Sequence, residues 1–189
     1  MVWSCLVSIL PGMAQTEKLT DYVNPFVGTD GYGNVYPGAQ IPFGGIQISP
    51  DTDSRFYDAA SGYKYNHLTL MGFSLTHLSG TGIPDLGDFL FIPGTGEMKL
   101  EPGTHEDPDQ GYRSRYSHDK EWASPNYYAV ELADYGVKAE MTSGVRSGMF
   151  RFTYPESDNA FIMIDMNHTL WQSCEWSNLR MINDSTITG

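Results

Sequence analysis

From residue 68 onward, hydrophobic and polar positions follow a period of two. Over residues 137–142, the hydrophobic Val137, Ala139 and Met141 alternate with polar side chains. Because successive side chains of a strand point to opposite faces, this alternation predicts a strand with one buried face. Residues 128–132 repeat the pattern, and the intervening Asp134-Tyr135-Gly136 predicts the turn of a β-hairpin.

Other short segments of the same kind occur through the chain. The further predicted strands are residues 68–73, 89–92, 150–154 and 161–166, with a strand pair around Asn183-Asp184. Residues 20–66 contain four prolines among turn-forming residues, and proline removes a backbone donor, so no long helix is predicted there. Sustained 3.6-residue periodicity is absent from the sequence. The predicted fold class is therefore all-β, an antiparallel β-sandwich.

The composition narrows the classes of partner. The chain has 189 residues and a formal net charge of −12. Such an acidic surface repels phosphate backbones and anionic lipids, which argues against nucleic-acid and membrane-surface partners. Hydrophobic residues make up 40% and charged residues 18%, which excludes a disordered acidic tail. We expect six acidic residues to lie in a solvated loop: Glu101, Glu106, Asp107, Asp109, Asp119 and Glu121.

The amino terminus has features of a secretory signal. Residues 3–10 are almost wholly apolar, and small Gly12 and Ala14 precede a predicted cleavage site after Ala14. The first basic residue is Lys18, so this signal would be truncated at its start; the alternative is a poorly ordered native terminus. We expect a signal peptide at 1–14 and a β-sandwich domain at 15–189 that is incomplete at its carboxyl end. The expected location is secreted or periplasmic.

The cysteines and the hydrophobic runs exclude two further classes. Cys5 would be removed with the signal and would leave Cys174 alone, so neither a disulfide framework nor a zinc cluster is predicted. The apolar runs are all shorter than the roughly 18 residues that a membrane span needs, so no membrane span is predicted.

The sequence does not match two familiar binding motifs, the phosphate loop and the calcium loop. The glycine-rich residues 28–34 and 80–88 lack the Gly-Lys-Ser/Thr of a phosphate loop, and proline stands where a helix would begin. Asp51-Thr52-Asp53 begins like a calcium loop, but Arg55 occupies its fifth position and no glycine its sixth.

Histidines and aspartates could be paired for acid–base chemistry. His77 and His67 could act with Asp85 or Asp88, but a histidine between apolar neighbours is more often a hydrogen-bonded core residue. Aspartates in glycine-rich loops more often cap turns. Asn167-His168-Thr169 fits the N-glycosylation pattern, which is common by chance. These motifs do not supply a complete catalytic set.

Residues 30–65 combine aromatic and polar side chains in a way that suits carbohydrate. Sugars present apolar ring faces beside dense hydroxyl groups, so their sites combine aromatic platforms with carboxylate and amide acceptors. The aromatic members are Tyr32, Tyr36, Phe56, Tyr57, Tyr63 and Tyr65, and the acceptors are Asp30, Asn34, Asp51, Asp53 and Asp58. The alternative for any one aromatic residue is a place in the core.

Several sequence blocks resemble one known family. They are residues 22–29, 33–39, 41–44, 47–51, 61–65, 72–82, 85–88, 116–118 and 123–128. The most specific block is Gly72-Phe73-Ser74-Leu75-Thr76-His77-Leu78-Ser79-Gly80-Thr81-Gly82. Together these blocks resemble the opening of glycoside hydrolase family 92, the α-mannosidases, over roughly residues 20–189.

The resemblance implies an exo-acting, calcium-dependent, inverting α-mannosidase that releases mannose from α-mannosides or N-glycans. It also implies an amino-terminal β-sandwich followed by a larger (α/α)6 helical barrel. By resemblance, the catalytic acid, the catalytic base and the main calcium ligands belong to that barrel, which this chain lacks. We therefore assign no catalytic residue and no metal ligand to the chain. We expect it to bind no calcium and to hydrolyse no mannoside by itself.

The resemblance further implies that the sandwich lines a sugar pocket at the interface of the two domains. The residues carried over are Gly33, Asn34, Tyr36 and Pro37 in a first loop, Tyr57 and Asp58 in a second, and His77, Ser79, Thr81 and Asp85 in a third. The family usually has tryptophan followed by Gly-Cys-like residues where this chain has Tyr57-Asp58-Ala59-Ala60. That departure puts the linkage preference in doubt.

Three functions stay open. The first is the amino-terminal portion of a secreted α-mannosidase, whose partners would be a mannose-containing glycan and the missing helical domain. The second is a stand-alone, non-catalytic carbohydrate-binding β-sandwich. The third is a structural or adhesin-like β domain.

Overall fold

The computed structural model describes residues 17–54 and 57–189, apart from the side chain of Asp58. The strands in these residues are β1 (Ser49–Asp51), β2 (Thr69–Leu70), β3 (Gly72–Ser74), β4 (Leu90–Thr95), β5 (Ser114–Arg115), β6 (Glu121–Ser124), β7 (Tyr127–Leu132), β8 (Val137–Ser143), β9 (Gly148–Thr153), β10 (Ala160–Asp165), β11 (Arg180–Asn183) and β12 (Thr186–Thr188). The helical elements among them are short 3-10 helices at Leu19–Tyr22, Tyr57–Ala59, Pro108–Gln110 and His118–Lys120. The all-β prediction is confirmed.

Two four-stranded antiparallel sheets form the sandwich. The first has the strand order β1-β3-β4-β10 and the second the order β6-β7-β8-β9. Two small sheets, β2-β5 and β11-β12, accompany them. In the second sheet, Val130 lies opposite Ala139 and Ala139 opposite Phe152, so the predicted hairpin and the strand after it are both confirmed.

The main core lies between these two sheets. Tyr128, Val130 and Leu132 of β7 are buried, as are Val137, Ala139 and Met141 of β8, as their alternation predicts. From the facing sheet, Phe73 contributes a ring whose centroid lies 6.4 Å from that of Phe150 and 6.3 Å from that of Phe152. Burial of this apolar area is the main source of stability that the sequence pattern encodes.

The first sheet is covered on both faces, which explains the continuous apolar run in β4. Phe91 points towards the second sheet, where its ring centroid lies 5.1 Å from that of Phe150. Leu90 and Ile92 point the other way and pack in a second core with Met71 and Tyr112. A strand buried on both faces reads as an unbroken hydrophobic run rather than as an alternation.

The prediction of one strand over residues 68–73 is wrong. The segment divides at Met71 into β2, which pairs with β5, and β3, which pairs with β1 and β4. The backbone N–H of Met71 donates to Asp51 O at 2.7 Å, so the chain crosses between sheets at this residue. Likewise Phe89 has φ 58°, and its strand begins only at Leu90.

The prediction of a solvated acidic loop over residues 101–121 is correct for five of its six acids and wrong for Glu121. Glu121 begins β6 and is 6% exposed. Its carboxylate accepts hydrogen bonds from the hydroxyls of Tyr63 (2.9 Å) and Tyr128 (2.6 Å) and from Nδ1 of His118 (2.6 Å). A buried carboxylate with three donors is tolerable where an unpaired one is not.

The carboxyl-terminal strand pair is also confirmed, as β11 and β12, and both strands are exposed. The predicted signal peptide at 1–14 lies outside the described residues. In the part of the chain that the structure describes, no helix is long and apolar enough to cross a membrane.

Candidate functional site

The first and third predicted loops lie against each other. The backbone N–H of Gly80 donates to Asn34 O at 2.7 Å. Asn34 is buried with φ 51°, a conformation that asparagine tolerates better than most residues. A Cβ at Gly33 would lie 2.1 Å from Gly28 O, so this tight turn requires glycine. The structure therefore brings Gly33 and Asn34 to the loop that carries Ser79 and Thr81.

Tyr36 and Pro37 lie beneath these loops. Both are buried, and the Tyr36 ring centroid lies 5.1 Å from that of His77. The Tyr36 hydroxyl donates to Gln40 Oε1 at 2.5 Å, and burial raises the pKa of Tyr36 to about 12. Tyr36 therefore supports the loops through its ring instead of presenting its hydroxyl to solvent.

The rest of the third loop is on the surface. Ser79 and Asp85 are exposed, and Thr81 is half-buried with its hydroxyl donating to Ile83 O at 3.1 Å. Asp85 accepts from the N–H of Leu86 at 2.8 Å, which is a turn-capping arrangement. Ser79 and Asp85 are accessible to a ligand from this position.

The second loop places Tyr57 beside a tryptophan that the sequence did not single out. Tyr57 is 60% exposed, and its ring packs edge-to-face against Trp171, 54% exposed, with centroids 6.2 Å apart. The side chain of Asp58 is outside the described part of the structure. Two exposed rings in contact form a surface on which an apolar sugar face can stack.

A cavity of about 430 Å³ adjoins Trp171. Its wall includes Asp165, His168, Tyr112 and Gln172. Asp165 accepts from the Tyr112 hydroxyl at 2.8 Å and from the N–H of Asn167 at 2.9 Å. A volume of this order, with one aromatic face and a few polar groups that converge on it, is typical of a small-molecule site.

The third loop and the segment that carries Trp171 both contact one buried carboxylate, that of Asp51. His77 Nε2 lies 2.7 Å from Asp51 Oδ1, and His168 Nε2 lies 2.7 Å from Asp51 Oδ2. The Ser74 hydroxyl donates to Oδ2 at 2.5 Å. Burial alone would raise the pKa of Asp51, but the charge of His77 and the hydrogen bonds from both histidines outweigh it and hold that pKa well below its usual range.

Both ring nitrogens of His77 have partners. Nδ1 lies 2.7 Å from Gln47 O, and a carbonyl only accepts, so Nδ1 donates. Nε2 contacts the Asp51 carboxylate, so the ring is held from both sides. The structure thus pairs His77 with Asp51 rather than with Asp85 or Asp88.

Ser74, His77 and Asp51 have the composition of a hydrolase triad but not its geometry. In a triad, serine and aspartate contact opposite ring nitrogens. Here Ser74 Oγ and the Asp51 carboxylate both contact Nε2 of His77, at 3.0 and 2.7 Å. All three residues are buried, so this cluster holds structure together and does not present a nucleophile.

Comparison with known proteins agrees with this architecture. The profile of the glycosyl hydrolase family 92 N-terminal domain matches residues 22–189. The chain belongs to glycosyl hydrolase family 92. Its similarity to that family therefore extends over the two sheets, the three loops and the segment that carries Trp171.

Related family 92 proteins are much longer than this chain. A secreted glycosidase of uncharacterised activity from Arthroderma benhamiae is 30% identical over 139 residues, which are 72% of this chain and 17% of that protein. The structure of the family 92 glycosyl hydrolase ccman5 is similar with a TM-score of 0.67 at 31% identity, covering 79% of this chain and 20% of that one. An inverting family 92 mannosidase from Bacteroides thetaiotaomicron gives a TM-score of 0.63 at 27% identity, with the same coverage. The chain spans about a fifth of the length of these relatives.

The expectation that this chain binds no calcium by itself stays a prediction. Within 17–54 and 57–189, no three His, Cys, Asp or Glu side chains converge as a metal site would require. Of the nearby carboxylates, Asp51 is occupied by two histidines and a serine, and Asp165 by Tyr112 and Asn167.

Sequence reasoning missed His168 and Trp171, and with them the cavity-wall residues Tyr112, Asp165 and Gln172. The sequence indicated His168 only as the middle of a glycosylation pattern, and no pattern marked Trp171. His168 lies 117 positions from Asp51. Only a resemblance extended residue by residue into 165–172 could have found His168 and Trp171.

Proposed function

We propose that this chain is the amino-terminal domain of a secreted, inverting, calcium-dependent α-mannosidase and supplies one wall of its sugar-binding pocket. The observation that carries the proposal is the exposed Tyr57–Trp171 pair beside a cavity with a carboxylate, an imidazole and an amide in its wall. The mannosidase activity of one similar structure and the secretion of the fungal relative support the whole-protein part of the proposal.

Stereochemical inversion requires a carboxylic acid and a carboxylate base about 6.5–9.5 Å apart, on either side of the scissile bond. Asp51 is fully buried and Asp165 is held by Tyr112 and Asn167, so neither is placed to activate water or to protonate a leaving group. We therefore assign the acid, the base and the calcium ligands to the rest of the family 92 polypeptide. The role of this chain is to bind and orient the sugar.

Calorimetric titration of this chain with methyl α-mannoside tests the binding role. We expect measurable binding and a loss of about tenfold, or about 1.4 kcal/mol, in Trp171→Ala, because a ring contact with sugar is removed. Trp122→Ala is the matched control, since Trp122 lies in β6 of the other sheet and is also exposed. Absence of binding by the parent chain, or equal losses in both variants, contradicts the proposal.

A stand-alone carbohydrate-binding module is the second candidate, because the described residues alone line the cavity. Release of mannose from an aryl α-mannoside, with and without added calcium, is the accompanying measurement. We expect none from this chain. Turnover by the purified chain would contradict the assignment of the catalytic groups to the rest of the polypeptide.

A further inference from the structure

We infer that Asp51 is a positioning residue: through His77 and His168 it holds the third loop and the Trp171 segment in one fixed arrangement. The inference rests on the proposed function for its importance to sugar binding, and on the geometry of the described residues for everything else. Asp51 is fully buried and acts only through other residues, whereas His168 both contacts Asp51 and lies in the cavity wall beside Trp171.

His77 is the first of the two histidines that contact Asp51. It stands at the base of the third loop, where it forms an isolated β-bridge with Leu86, and Gly87 N–H donates to Thr76 O at 2.9 Å. The loop between these points carries Ser79, Thr81 and Asp85. Fixing the His77 ring on both nitrogens therefore fixes the base of that loop.

His168 is the second histidine that contacts Asp51. Its side chain is 4% exposed, and its Nε2 bond to Asp51 anchors residues 167–171 together with the buried side chain of Leu170. The backbone is held by Leu170 N–H to Leu86 O (2.7 Å) and Trp171 N–H to Ser54 O (2.8 Å). Trp171 has φ 73°, which is strained for a bulky residue and persists only when its surroundings determine it. The Trp171 orientation therefore depends on anchors of this kind.

The surrounding backbone also fixes the position of the Asp51 carboxylate. Gly62 has φ 83°, and a Cβ there would lie 2.0 Å from Asp51 Oδ1, so only glycine leaves room for the carboxylate. The Ser74 hydroxyl holds the other oxygen. The two oxygens are thus occupied by groups from two separate segments, residues 74–77 and His168, so a shift of either histidine disturbs the hydrogen bonds of the other segment.

Fluorine NMR of chain labelled with 5-fluorotryptophan tests the inference without any sugar. The Trp171 resonance is assigned by its loss in Trp171→Phe, and the Trp122 resonance serves as an internal control on the opposite sheet. In the parent we expect one sharp Trp171 signal. In His168→Ala we expect that signal to shift and broaden while the Trp122 signal stays in place.

A conservative variant separates positioning from general destabilisation. The amide nitrogen of glutamine can occupy the place of Nε2, so His168→Gln should restore the sharp Trp171 signal. Asp51→Asn should shift it as His168→Ala does. If Asp51→Asn also displaces the Trp122 signal, that variant has lost its fold and does not report on Trp171. The His168→Ala variant, which keeps the Asp51–His77 pair, then tests the inference.

An unchanged Trp171 signal in His168→Ala overturns the inference, as does failure of His168→Gln to differ from His168→Ala. These outcomes are independent of binding. A chain that shows the expected fluorine shifts but no affinity for methyl α-mannoside refutes the proposed function and leaves the positioning role standing.

Discussion

Glu121 offers the sharpest test of what holds the sandwich together. The Tyr63 and Tyr128 hydroxyls and Nδ1 of His118 converge on its buried carboxylate. His118 Nε2 in turn donates to Tyr65 O at 2.7 Å, and the His118 and Tyr65 rings stack 3.9 Å apart. One side chain thus ties β6 and β7 to the segment that follows the second loop.

Glu121→Leu removes the acceptor for two buried tyrosine hydroxyls and for Nδ1 of the partly exposed His118 while preserving most of the side-chain volume. Each buried donor left unsatisfied costs about 1–3 kcal/mol, so the two tyrosines make the loss about 2 kcal/mol at the lower end. In a domain of this size that corresponds to a fall in Tm of about 4–8 °C. Glu121→Gln should cost only about 1 kcal/mol, since its carbonyl still accepts from the two tyrosines and only the contact with Nδ1 of His118 is lost.

Urea unfolding followed by circular dichroism measures these differences in the free energy of unfolding. Glu131→Leu is the control, because Glu131 lies in β7 and forms an ion pair with the exposed Lys120, at 2.6 Å. An exposed pair of this kind contributes at most about 1 kcal/mol. If Glu121→Leu destabilises the chain no more than Glu131→Leu does, the three hydrogen bonds do not stabilise the core as argued.

Three further predictions concern stability. Gly62→Ala should cost at least about 2 kcal/mol, from its positive φ and its contact with Asp51, whereas Gly31→Ala, with φ 58° and open space, should cost about 1 kcal/mol in the same urea assay. Acid should destabilise the chain as pH falls below about 3.9, the unfolded pKa of aspartate. The lowered pKa of Asp51 contributes stability that is present above pH 3.9 and is lost as pH falls towards the folded pKa. If the urea midpoint of Asp51→Asn depends on acid as the parent's does, this prediction is contradicted. Burial raises the pKa of Tyr36 to about 12, so the contribution of Tyr36 to the free energy of unfolding is complete below its unfolded pKa of about 10 and is lost between pH 10 and 12. Tyr36→Phe should therefore lose less stability in alkali than the parent chain, measured by urea unfolding at successive pH values.

The sequence alone determined the elements whose partners lie close along the chain. Residues 137–142 alternate strictly, residues 128, 130 and 132 are hydrophobic, and a short turn separates the two segments, so their pairing needed no knowledge of the rest of the molecule. The apolar run at 89–92 predicted a buried strand for the same local reason. The division at Met71 was not visible, because a hydrophobic run reports burial but not which sheet a residue joins.

Only the tertiary structure decided where the buried charges lie. Asp51 and His168 are 117 positions apart, and Tyr63 and Glu121 are 58 apart, yet each pair is hydrogen-bonded in the interior. Composition predicts that an acid in a polar segment is solvated, because burying a carboxylate is unfavourable unless donors surround it. Those donors come from segments that are far apart in the sequence and meet only in the folded domain, so the sequence pattern could predict the strands but not which carboxylates are buried.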